Sequence, residues 1–164
     1  MCWNGWMSDE IVVREFEEGD EAAFRRLNEE WITRFFKMEA KDEESFADPW
    51  GKILKKGGRI FFAVREGEAL GCCALVVMGP REFEVAKMAV TQSAQGLGIG
   101  RLLMEAVVEA GKALGARRLY LETHHSLTPA IRLYERAGFQ RLPEERVTPS
   151  PYERADVFME MVLA

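Results

Sequence analysis

Gln95-Gly96-Leu97-Gly98-Ile99-Gly100-Arg101 is the stretch on which the reading of this chain turns. Before it, residues 85–90 are an apolar run that can form a strand. After it, Ile99, Leu102, Leu103, Ala106, Val107, Ala110, Ala113 and Leu114 recur at the spacing of one helix face. A strand, then glycines, then a helix start is a way to build a site for phosphate oxygens. The first amides of a helix have no partner within it, the helix dipole adds partial positive charge there, and glycines let a ligand come close to the backbone. Phosphate binding at the start of this helix is the first expectation.

The spacing of the glycines narrows the ligand. A dinucleotide fingerprint needs G-x-G-x-x-G. Counted from Gly96, the third glycine position holds Arg101; counted from Gly98, it holds Leu103. No G-x-x-x-x-G-K-S/T run exists, which argues against a nucleotide-dependent phosphotransferase. The pattern that fits is Gln95-x-x-Gly98-x-Gly100. It resembles the pyrophosphate loop of coenzyme-A-dependent N-acyltransferases of the GNAT superfamily. Further on, Ala130-Ile131-Arg132-Leu133-Tyr134-Glu135-Arg136-Ala137-Gly138-Phe139 resembles the A-x-x-L-Y-x-x-x-G-F segment of the same superfamily. Between the two lies residues 117–123, RRLYLET, which alternates like a strand. The resemblance covers roughly residues 59–141 well and the flanks loosely.

Composition bounds the rest. A chain of 164 residues with 48% hydrophobic content has the size and make-up of one domain, residues 1–164. The net charge of −5 argues against generic nucleic-acid binding and is compatible with a cationic acceptor. The longest apolar stretch, residues 69–79, is too short for a membrane span. The start, MCWNGWMSDE, gives no signal-peptide pattern. The three cysteines, Cys2, Cys72 and Cys73, make a poor disulfide framework, and a reducing cytoplasm is the simple reading. Cys72 and Cys73 are expected on opposite faces of a strand. No His/Cys/Asp spacing suggests a metal site.

Along the chain, strands are expected at residues 11–16, 59–65, 69–78, 84–90, 117–123 and 156–163. Helices are expected from Gly19 to about Lys37, over 50–56, from Ile99 to Leu114 and over the Leu133-Tyr134 segment. Pro129 suits the first turn of that last helix and Gly138 its cap. Residues 40–49 read as polar with at most a short turn, and 142–152, with three prolines, as a loop.

The resemblance implies an α/β fold: a central, mixed, twisted sheet of six to seven strands with about four helices, splayed at the central parallel strands. It implies an N-acetyltransferase that moves acetyl from acetyl-CoA, without a metal, to a primary amine on a small molecule, peptide or protein by direct attack on the thioester. A coenzyme-binding sensor without turnover is the alternative. A dimer through the last strands would be ordinary for the architecture.

By the same resemblance, backbone groups of Met88 and Val90 would hold the pantetheine arm, and an amide near Ala89 would face the thioester oxygen. Amides of Gln95, Gly96, Leu97, Gly98, Ile99, Gly100 and Arg101 would hold the pyrophosphate. Tyr134 stands where the family's tyrosine protonates the leaving sulfur. Glu84 stands where many members carry a glutamate base acting through water, and alternation puts it on the face of Ala86, Met88 and Val90. Glu122 is a second carboxylate candidate, and His124 is more readily a surface group than a base. Trp31, Thr123, His125, Tyr152 and Arg154 would line the acceptor pocket. Leu127 stands where the family has Asn, and Gln92 where it has Pro.

Overall fold

The computed structural model describes residues 10–163; Cys2 and most of the N-terminal start lie outside them. In chain order the elements are β1 Val12–Glu15, α1 Glu21–Phe35, α2 Ala40–Ala47, β2 Arg59–Arg65, β3 Glu68–Gly79, β4 Glu82–Val90, α3 Ile99–Ala113, β5 Arg118–Thr123, α4 Thr128–Ala137, β6 Gln140–Arg141 and β7 Val157–Val162. The strands form one sheet in the order β1-β2-β3-β4-β5-β7-β6. Every neighbouring pair is antiparallel except β4 and β5. The mixed sheet matches the expected fold class, with seven strands and four α-helices.

Each face of the sheet buries its own apolar cluster. Leu103, Met104 and Val107 of α3 and Ile131 and Tyr134 of α4 pack with Leu75, Val85, Leu119 and Met159 on one face. Phe24, Leu27 and Ile32 of α1 and Phe46 of α2 pack with Ile60, Phe62 and Ala74 on the other. Cys73 faces the first cluster and Cys72 the second, both buried and free, as strand alternation requires.

Residues 40–49 correct the sequence reading. They form α2, opened by a reciprocal pair in which Glu39 and Asp42 cap each other's backbone N–H. The helix has little apolar periodicity because one of its two buried positions is an aspartate, Asp42, beside Phe46. Residues Trp50–Leu54 form a π-helical turn, shorter than the expected helix. The two-residue strand β6, unforeseen, sits on the sheet edge against β7.

Two irregularities in β4 shape the centre of the molecule. First, β4 and β5 pair only at Glu82 with Arg118, Phe83 with Leu119 and Glu84 with Tyr120. Beyond Glu84 the two strands diverge. Second, Lys87 sits at φ +56°, and the register to β3 slips between Cys72 and Ala74. A bulge of this kind inserts one residue and inverts the alternation after it. Phe83 and Val85 therefore share a face with Met88 and Val90, while Ala89 joins the opposite cluster. The expectation that Glu84 shares a face with Met88 and Val90 is thus corrected.

Candidate functional site

The divergence of β4 from β5 opens a cavity of about 400 Å3 that passes through the sheet. On one face it is bounded by Gln95, Leu127, Ala130 and Tyr134, on the other by Trp31, Phe36, Tyr152 and Arg154. Residues 84–90 of β4 run along its length. Thr91 donates its N–H to the Leu70 carbonyl on β3. Alternation then turns Ala89 toward β3 and leaves the N–H and C=O groups of Met88 and Val90 facing the gap. Met88 and Val90, the residues expected to hold an arm, thus turn backbone groups to the gap, while the backbone of Ala89 turns to β3.

At the C-terminal end of β4 the chain makes a short 3-10 turn, Gln92–Ala94, and enters the glycine loop. Gly96 has φ +85° and Gly98 φ +78°, a left-handed region costly for residues with a Cβ. Gly98 is the N-cap of α3. Leu102 is the first residue whose N–H finds a helical carbonyl, that of Gly98. Among the described residues, the amides from Gly96 to Arg101 take no part in a backbone hydrogen bond outside regular elements. Arg101 itself is exposed and pairs with Glu105. The loop's entrance is fixed from across the molecule: Glu30 of α1 accepts the Thr91 hydroxyl at 3.0 Å and the Gln92 N–H at 2.9 Å. A single carboxylate on a helical surface gave no sequence signal for this role.

Tyr134 is buried, with its ring edge-on to Phe139 at 6.4 Å. Among the described residues no buried polar side-chain atom lacks a partner, and the Tyr134 hydroxyl, which makes no side-chain hydrogen bond, opens onto the cavity that the residue lines. Burial, reinforced by Cys73, pushes its pKa above the ordinary tyrosine value. Leu127 caps α4 without a side-chain bond to the helix amides, and Pro129 lies in that first turn as foreseen.

On the other face, Glu84 and Glu122 meet across the gap. Burial first, then the charge of Glu122, push Glu84 up to about 7, against the opposing pull of Lys87. Glu122 accepts two hydroxyls, Tyr120 at 2.7 Å and Ser150 at 2.5 Å. The two carboxylates therefore have different settings. Each Glu122 oxygen accepts one hydroxyl and keeps acceptor capacity toward the gap, while burial and the charge of Glu122 raise the pKa of Glu84.

Behind them is a buried ion cluster absent from the sequence reading. Asp42 is fully buried and takes Arg154 through both oxygens, at 2.7 and 2.8 Å, and Lys87 at 3.0 Å. Burial raises its pKa, but the hydrogen bonds from Arg154 and the charge of Lys87 outweigh it and hold it down at about 2. Lys87 also donates to the Tyr152 hydroxyl at 2.8 Å, and Arg154 reaches Glu39 at 3.1 Å. The Arg154 guanidinium lies over the Tyr152 ring at 4.5 Å and nearer that ring than Trp31, at 5.9 Å. The bulge at Lys87, the start of α2 and the loop before β7 are thus tied at one buried point.

Of the residues expected around an acceptor, Trp31, Thr123, Tyr152 and Arg154 line the cavity. His125 does not; His124 does. Past the end of β5 the backbone turns, and Asp156 takes both the N–H and the ring of His125, at 2.8 and 2.5 Å, drawing it outward. Asp156 Oδ2 is 3.7 Å from His124 Nε2. Donor atoms of His124, His125 and Asp156 converge within 4.8 Å, a grouping able to ligate a metal that spacing in the sequence gave no hint of. As they stand, His125 and Asp156 satisfy each other, and His124 Nδ1 accepts the Ser126 N–H.

The acetyltransferase (GNAT) family model matches residues 21–139, which hold α1, β4, the glycine loop, β5 and α4 but not Tyr152 and Arg154 of the cavity wall. The chain belongs to the GNAT family. A mycothiol acetyltransferase of Thermomonospora curvata is 32% identical over 152 residues, covering 87% of this chain and 48% of that protein. The chain therefore spans about half the length of that GNAT relative. A GNAT-family acetyltransferase from Staphylococcus aureus superposes with a TM-score of 0.86 at 18% identity, over 94% of this chain and all of that one. An acetyltransferase from Salmonella typhimurium, solved with its cofactor acetyl-CoA, superposes with a TM-score of 0.75 at 16% identity over 94% of each chain. These likenesses carry the GNAT fold. Among the described residues, no helix is long and apolar enough to cross a membrane.

Proposed function

We propose that this chain, as one domain, transfers an acetyl group from acetyl-CoA to a primary amine by direct attack on the thioester. The observation that carries the reading is the unpaired edge of β4 with a different ionisable group on each side of the cavity it lines: Glu84, raised to about 7, on one and Tyr134 on the other. In this reading the coenzyme diphosphate lies on the free amides at Gly96–Arg101, and its arm runs along Met88 and Val90 into the gap.

The amine enters between Trp31 and Tyr152 and gives up its proton to Glu84, through water or directly. Its nitrogen then bonds to the thioester carbon, and the oxygen takes the developing charge toward a backbone N–H of β4. Collapse breaks the carbon–sulfur bond, and Tyr134 protonates the leaving sulfur. A phenol whose pKa burial has raised is a weak acid in the ground state. It becomes a useful donor when a thiolate forms beside it, because that anion suffers the same apolar surroundings. The acetyl-CoA held by the Salmonella relative supports the choice of coenzyme.

Thiol release from acetyl-CoA with a panel of amines tests the reading. We expect kcat/KM to rise with pH through about 7, because the base works deprotonated and Glu84 titrates there. Tyr134→Phe should lower kcat by about 100-fold with coenzyme affinity retained. Tight acetyl-CoA binding with no release for any amine would favour a sensor without turnover.

A further inference from the structure

The charges around the cavity are unevenly placed. Deep inside, Lys87 and Arg154 are consumed by Asp42 and Glu39. What remains at the inner end is the Glu84–Glu122 carboxylate pair. At the outer end, on the face of α2 and the π-helical turn, the lining is Lys41, Glu44, Ser45, Lys52 and Lys56. Lys41 is matched by Glu44 at 3.6 Å. Lys52 and Lys56 are exposed, and neither has a salt-bridge partner among the described residues. The mouth is thus locally positive in a chain whose net charge is −5. A local field opposite to the overall charge draws anions to that place.

These lysines are poorly placed to serve the coenzyme phosphates. The glycine loop leads into α3, which packs on one face of the sheet, while Lys52 and Lys56 flank Ile53, which belongs to the cluster on the other face. The polarity instead describes a molecule with a cation at its inner end and an anion at its outer end. The cavity also has to admit the coenzyme arm, so only part of its 400 Å3 is left for this molecule.

Resting on the acetyl-transfer reading above, we propose that the acceptor is a small primary amine that also carries a carboxylate or phosphate. Its amino group lies at Glu84 and Glu122 and its anion at Lys52 and Lys56. Acetylation removes the inner positive charge and leaves the outer anion, so the product loses its hold on the carboxylate pair and departs through the lysine mouth.

The test uses matched amines that differ only in the anion: 4-aminobutyrate against n-butylamine, 6-aminohexanoate against n-hexylamine, and O-phosphoethanolamine against ethanolamine. Binding to the coenzyme-A-saturated protein is measured by calorimetry, and turnover by thiol release separately. We expect the anionic member of at least one pair to bind about tenfold more tightly, and the advantage to shrink as salt rises. The carboxylate and phosphate pairs tell the two anions apart. In the double variant K52E/K56E the advantage should vanish, while binding of the anion-free ammonium partners does not weaken and coenzyme affinity stays within about twofold. Both positions are exposed, so the variant should fold. Equal binding within every pair, no binding of any anionic amine, or a preference that survives charge reversal would each overturn the proposal. Turnover without preference sinks this proposal alone. Preference without turnover keeps the anion site and sinks the acetyl-transfer reading.

Discussion

The two ends of the central gap are built from different materials. The glycine loop offers main-chain amides from six consecutive residues, Gly96 to Arg101, while the Gln95 N–H is taken by the Gln92 carbonyl, and its shape follows from positive φ at Gly96 and Gly98. The opposite end is made of side chains from Glu39, Asp42, Lys87, Glu84, Glu122, Tyr152 and Arg154, gathered from α2 and its N-cap, the loop before β7 and two strands. The first end can bind the same ligand through many sequences, since the backbone is common to all of them. The second changes its charge and shape with each substitution. A coenzyme shared across a family suits the first, and an acceptor that varies suits the second.

The largest effect should come from the side-chain end. Asp42→Asn leaves Lys87 and Arg154 without their shared anion in a buried place, and we expect a loss of about 3–5 kcal/mol in unfolding free energy by denaturant titration. The wild-type contribution has a defined pH window. Asp42 in the fold sits at about 2 against an ordinary 3.8, so its stabilisation is complete above 3.8 and is lost as pH falls toward 2. An Asp42→Asn protein as stable as wild type at pH 7 would show that the cluster is incidental to the fold.

Glu84 has the opposite sign. Its folded value of about 7 lies above the ordinary 4.5, so the fold binds its proton more tightly than the unfolded chain. Stability is therefore lost as pH rises from 4.5 through 7. Glu84→Gln should gain about 3 kcal/mol at pH 8 and little at pH 4, read by thermal or urea unfolding. The same variant should lose about 100-fold or more in kcat and its rising limb near pH 7. Gain of stability with loss of rate would mark a residue kept for chemistry against the interest of the fold. Unchanged stability at both pH values would remove the basis for its raised pKa.

At the main-chain end the effects should be smaller and confined to the coenzyme. Gly98→Ala puts a Cβ at φ +78°, costing about 1–2 kcal/mol. We expect weaker coenzyme A binding by about tenfold in calorimetry, with the acceptor KM unaltered. A change in acceptor KM instead would dissolve the separation of the two ends. The smallest effect is at Leu127, an N-cap without a capping side chain. Leu127→Asn should raise stability by about 0.5–1 kcal/mol, seen as a modest increase in Tm.

Much of this molecule is local in the sequence. The loop, α3 and the Tyr134 helix depend on glycine spacing and apolar period, which neighbours along the chain specify. Residues 88 and 90 were assigned to the coenzyme arm by family resemblance, not by period. The faces assigned along β4 failed at Lys87, because a bulge is a response to the partner strand and inverts every side chain after it. Helix α2 escaped notice because its buried residue is charged, and a buried aspartate makes sense only beside cations 45 and 112 residues away. His125 was taken for a lining residue where His124 holds the position, since Asp156, 31 residues on, decides which ring turns inward.

The sequence by itself determined the glycine turn that opens α3 and the order of the elements along the chain, because both follow from φ preferences and hydrophobic period within short windows. Only the tertiary structure decided how charge is distributed around the gap. Coulombic energy in a buried place depends on distance through space, and the chain brings those charges together from residues far apart along it.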